Sequence, residues 1–109
     1  MIYWSKEIDE ILSCGLPLND YGVNNWALSR EDVFKVLDIF LKRKISILGG
    51  DVYRIVKGEL EITYDNWYFD KFLYESKDSY LIRSINETYN YINQYKIKKD
   101  VYFAIVPDI

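Results

Sequence analysis

The chain has 109 residues, 50% of them apolar, with 5 Gly, 2 Pro and no low-complexity stretch, which excludes a disordered chain and suits one globular domain over residues 1–109. A net charge of −3, from 14 basic and 17 acidic side chains, argues against a nucleic-acid partner, because such proteins carry a basic face. A single cysteine and no histidine exclude a disulfide framework, His/Cys zinc sites and His-dependent triads, and suit a reducing compartment, the cytosol.

The opening Met1-Ile2-Tyr3-Trp4 meets Lys6, Glu7, Asp9 and Glu10 at once, leaving no room for a signal-peptide core. No apolar run approaches the roughly 20 residues that cross a bilayer, so no membrane partner is expected. Ser5, followed by Ile8, Ile11 and Leu12 at helical spacing, predicts a short helix capped by Ser5 and ended by Gly15 and Pro17. Residues 16–28 read as a loop, pinned to the core by Trp26. A second helix is predicted from Arg30, with Ser29 and Asp32 as a capping box and Leu28 and Val33 as a staple. Its stripe of Val33, Phe34, Val36, Leu37, Phe40 and Leu41 faces a core, and Lys42-Arg43-Lys44 complements the negative end of its dipole.

Ile45–Leu48 reads as a short strand stopped by Gly49-Gly50, and Asp51–Val56 with Glu59–Tyr64 as a hairpin turning at Lys57-Gly58. That turn sets Ile55 opposite Leu60, Tyr53 opposite Ile62 and Asp51 opposite Tyr64 on one face. Arg54 meets Glu61 on the other, where Val52, Val56, Glu59 and Thr63 suggest a solvated side. The segment Tyr64–Asp70 alternates aromatic and polar residues before a polar stretch and a third helix starting near Ser76, with Leu81, Ile82, Ile85, Tyr89 and Ile92 on its apolar face. A last strand, Val101–Val106, is closed by Pro107 and is apolar on both faces, as in a strand inside a sheet. The order α-α-β-β-β-α-β predicts an α+β domain with helices packed on one face of a small, mostly antiparallel sheet.

Chemistry has few resources here. Cys14 ends an apolar helix face and reads as a small buried thiol. Asp51, Asp65 and Asp70 could hold a divalent ion or form an acid and base pair, which defines an alternative reading as a small carboxylate-dependent enzyme. Against it, Gly49-Gly50-Asp51 lacks the spaced glycines and Lys-Ser/Thr pair of a phosphate loop, and Asp51 suits a turn. No cofactor is expected. A structural or regulatory subunit is a further reading, since aromatics on an open sheet edge would serve it equally.

Three stretches, Gly22-Val23-Asn24-Asn25-Trp26-Ala27-Leu28, Leu48-Gly49-Gly50-Asp51-Val52-Tyr53 and Thr63-Tyr64-Asp65-Asn66-Trp67-Tyr68, together resemble the bacterial family called immunity protein 40. Tyr3-Trp4-Ser5 and Ile8-Asp9-Glu10-Ile11-Leu12 fit the same resemblance. It implies a small cytosolic domain of a polymorphic toxin system that acts on no substrate and binds and neutralises a cognate toxin domain. Many such toxins are nucleases with basic substrate sites. Residues 45–75 hold six acidic side chains against three basic ones, so an acidic surface there could steer binding and occlude such a site. The contact region expected on this basis is Asp51, Glu59, Glu61, Asp65, Trp67 and Tyr68. The competing expectation is that Trp67 and Tyr64 fill the core and the glutamates only solubilise an exposed face.

Overall fold

Three serines open the three helices. In the computed structural model, which describes residues 2–109, the Ser5, Ser29 and Ser76 hydroxyls accept the backbone N–H of Ile8, Asp32 and Ser79 at 3.1, 3.2 and 3.1 Å. Each satisfies a first-turn donor that has no partner inside its own helix. The helices are α1 (Lys6–Leu12), α2 (Arg30–Lys42) and α3 (Lys77–Gln94). Between α1 and α2 the expected loop holds a small antiparallel ribbon, β1 (Leu16–Pro17) with β2 (Trp26–Ala27), around a single turn of 3-10 helix at Asn19–Tyr21.

The main sheet is antiparallel, in the order β4-β3-β5. Its central strand, β3 (Ser46–Val56), continues through Gly49-Gly50 after a one-residue bulge at Leu48 against β5, so the two strands expected on either side of the glycines are one. The hairpin to β4 (Glu59–Tyr68) turns at Lys57-Gly58, both in the left-handed region that a tight two-residue turn requires. Ile55 faces Leu60, Arg54 faces Glu61 and Tyr53 faces Ile62, as the turn dictates. Asp51, however, meets Asn66 and not Tyr64, because Thr63, Tyr64 and Asp65 bulge out opposite Val52 alone.

The last strand, β5 (Val101–Asp108), lies at the sheet's edge and not inside it. It is apolar on both faces because both are covered, and Leu28 seals part of its outer edge with two 2.8 Å backbone bonds to Phe103. Pro107 opposite Ile47 has no N–H to give; the Ile47 carbonyl takes the Tyr80 hydroxyl at 2.8 Å instead, and its N–H donates to Ser84 Oγ at 3.1 Å. These two bonds dock α3 on the sheet.

Two cores result. On the helix side Val33, Val36, Leu37 and Phe40 of α2 and Leu81, Ile85 and Ile92 of α3 bury Ile47, Val52, Phe103 and Ile105. Val52 therefore lies in the main core, and the face expected to be solvated is open only towards the hairpin end, at Arg54, Glu59 and Glu61. On the opposite face a smaller core joins Leu18 and Ala27 to Tyr53, Leu60 and Ala104. Asn25 fastens this cover: its amide donates to the Ile105 carbonyl at 2.9 Å while its oxygen accepts the Trp26 N–H at 2.7 Å. The Tyr21 hydroxyl reaches across to accept the Leu60 N–H at 3.3 Å.

Candidate partner-binding surface

Trp67 and Tyr68 are neighbours on β4 and therefore point to opposite faces of the sheet. Both rings lie against the glycine pair of β3. A Cβ on Gly50 would come within 2.4 Å of the Trp67 ring, and one on Gly49 within 2.5 Å of the Tyr68 ring and 2.1 Å of the Trp67 carbonyl. Gly49-Gly50 is thus a site of close approach and not a strand stop.

The two rings differ sharply in exposure, 6% for Trp67 against 57% for Tyr68. Trp67 stacks on Tyr91 at 4.8 Å between centroids, and its Nε1–H donates to Thr88 Oγ1 at 3.0 Å, which satisfies the one polar atom it buries. Its indole belongs to the core and shows only a sliver of surface at the floor of a shallow groove, so Trp67 is a core residue first, unlike the contact residue expected. Tyr68 stays in the expected contact set. Its hydroxyl donates to Asp51 Oδ2 at 3.3 Å, and burial, reinforced by that carboxylate, raises its pKa.

Asp65 sits in the bulge. The Thr63 hydroxyl fixes this detour by donating to the Val52 carbonyl at 2.9 Å and accepting the Asp65 N–H at 3.0 Å. Asp65 Oδ2 then accepts the Tyr95 hydroxyl at 2.6 Å; burial first, and this bond second, push Tyr95 up to about 12. Tyr64, left-handed at φ 68°, is thrown outward and is 81% exposed, so of the two aromatics expected to compete for the core only Trp67 enters it. Glu59 and Glu61 are exposed at the hairpin end and, among the described residues, make no ion pair.

The other five residues of the expected set lie along the outer strand and its neighbour, divided between faces: Glu59, Glu61 and Asp65 towards the helix side, Asp51 and Tyr68 away from it. The same division bears on the metal reading. Asp51 is engaged by Tyr68 on one face and Asp65 by Tyr95 on the other, and among the described residues no three His, Cys, Asp or Glu side chains are grouped to hold an ion. Cys14 is exposed and not buried as expected, although partial cover and the charge of Asp32 raise its thiol pKa.

A second group of exposed apolar residues lies beyond the strands. The segment expected to be a polar lead into α3 contains Phe72, Leu73 and Tyr74, all exposed. The available signal was an apolar triplet with neither helical nor strand period, lying between a strand and a helix cap. Among the described residues no helix is long and apolar enough to cross a membrane.

A family model described as immunity protein 40 matches residues 17–107 of the chain. The match takes in the final strand, which the three motifs do not reach, and leaves Tyr3-Trp4-Ser5 outside it. Curated proteins and solved structures give no match.

Proposed function

The chain belongs to the immunity protein 40 family, and from that premise we propose that it binds and neutralises a cognate bacterial toxin domain through protein–protein contact, in the cytosol of the cell that makes the toxin. The observation that carries this reading is the outer strand of the sheet. Glu59 and Glu61 have no ion-pair partner among the described residues, and Ile62, Tyr64 and Tyr68 are exposed along the same strand, Ile62 and Tyr68 on its other face, so a partner would meet the strand along its open edge. Between Asp51 and Tyr68 four carboxylates stand against two cations, Arg54 and Lys57, so the strand pair is net negative, and its exposed aromatics supply contact area at low entropic cost. Such a surface suits a basic target, as in the substrate site of a nuclease toxin, where it would speed encounter and cover the site.

Coexpression tests the reading directly. The toxin domain ending the protein encoded by the adjacent upstream gene should kill cells that lack this chain and spare cells that make it. Rescue separates a neutralising partner from a purely structural subunit. Reversing both charges, Glu59→Lys with Glu61→Lys, should weaken binding about tenfold at low salt and by no more than about threefold at high salt, because screening removes the term that was altered. An affinity that ignores both substitutions at low salt would take the hairpin end out of the interface.

A further inference from the structure

Resting on that reading, we infer that the loop between β4 and α3 is the apolar anchor of the complex, its tip Phe72-Leu73-Tyr74 seating in a concave, uncharged cleft of the toxin domain. The three side chains are 62, 83 and 95% exposed in sequence order. A large apolar triplet on a slack loop would fold back onto the protein. This loop is held open.

Its frame is Arg83 of α3. The guanidinium grips both oxygens of Glu75 at 2.8 Å, donates to the Asp70 carbonyl at 2.7 Å, and lies 4.2 Å from the centre of the Phe72 ring. Glu75 in turn accepts the Phe72 N–H at 3.0 Å, and its own N–H returns to the Phe72 carbonyl at 3.0 Å, closing the turn. Within that turn Tyr74 has φ 71°, a conformation that bulky residues rarely adopt, and its side chain stands clear of the molecule. A tip ordered before contact loses little freedom on binding, which is how protein anchors gain affinity.

Charge and shape select the occupant. Two cations beside the tip are paired internally, Arg83 with Glu75 and Glu87 and Lys71 with Asp108 at 2.7 Å, and the charge of Lys77 is offset by its neighbour Asp78. The tip is therefore neutral and convex, and its complement is neutral and hollow. A net charge of −3, with Lys71 already paired, opposes docking on an anionic bilayer. A shallow groove lined by Phe72, Tyr91 and Tyr68 joins the tip to the exposed ring on β4, making one front of the loop and the proposed surface.

The test uses the full chain and the purified toxin domain of the adjacent upstream gene. Leu73→Ser with Tyr74→Ser should weaken binding by about 30-fold or more, equally at low and high salt, as expected of a hot spot. The Tm should stay within about 3 °C of wild type, since the exchanged side chains are exposed. Wild-type binding that the double variant retains within about twofold overturns the loop assignment alone. A wild-type chain that does not bind overturns the functional reading and this inference with it. Two controls without toxin also decide: tip-dependent self-association in sedimentation, or tip-dependent retention on phosphatidylcholine/phosphatidylglycerol vesicles, would assign the tip to another occupant and overturn the inference.

Discussion

The two faces of the sheet are covered by different means. On one side two helices lay Val33, Val36, Phe40, Leu81, Ile85 and Ile92 over Val52, Phe103, Ile105 and Trp67, a thick cover of large side chains. On the other a short ribbon and one helical turn press Leu18 and Ala27 onto Tyr53, Leu60 and Ala104, where two alanines let backbone approach backbone. The helix side supplies most of the buried area and hence most of the hydrophobic stabilisation. The ribbon side needs little area because the Asn25 amide, donating to the Ile105 carbonyl, and the Tyr21 hydroxyl, accepting the Leu60 N–H, hold it in register. A small domain can thus bury both faces of a three-stranded sheet without spending a second pair of helices.

Substitutions can break this contrast, the largest effect coming first. Trp67→Ala removes a ring from the thick core and leaves Thr88 without its donor; chemical denaturation should show a loss of about 3–5 kcal/mol. Leu18→Ala empties the fully buried centre of the thin core, and a loss of about 2–3 kcal/mol is expected. If Leu18→Ala costs under about 1 kcal/mol, the ribbon is a passive cover and the two faces are unequal in kind as well as in size. The smallest effect is electrostatic and confined to the helix side. Arg83 holds Glu75 down at about 2, below the 4.5 of a free glutamate, so the ion pair stabilises the fold above about pH 4.5 and loses that contribution as pH falls towards 2. Hydrogen exchange should show the Phe72 amide opening over that range while the Leu18 amide, held by the Asn25 carbonyl, keeps its protection. Simultaneous opening of both would mean that acid acts on the whole domain and not on this clamp.

Features encoded within a few residues of one another were legible in advance. The caps at Ser5, Ser29 and Ser76, the turn at Lys57-Gly58 and the first hairpin pairs all follow from local chemistry. Legibility stopped where distant residues decide. The bulge depends on Thr63 reaching the Val52 carbonyl, and the meaning of Gly49-Gly50 depends on rings 17 to 19 residues further along the chain. The final strand read as interior because its composition reports cover and not neighbours; Leu28 and the ribbon supplied cover that the sheet order did not. Of the expected contact residues, Glu59, Glu61, Asp65 and Tyr68 are exposed, Asp51 is half-buried and Trp67 is buried. Strand alternation separates Trp67 from Tyr68, but nothing in their own letters says which ring faces the helices.

The bulge at Thr63–Asp65 also bears on how the chain survives on its own. An outer strand of ten residues with one side unpaired is a template on which identical chains can stack into cross-β fibrils. Here the ladder is cut into Glu59–Ile62 and Asn66–Tyr68, with an outward-kinked Tyr64 between them and glutamates on the longer piece. Neither piece reaches the six or seven residues of a typical amyloid-forming segment, so the detour acts as a gatekeeper that closes the strand to its own copies.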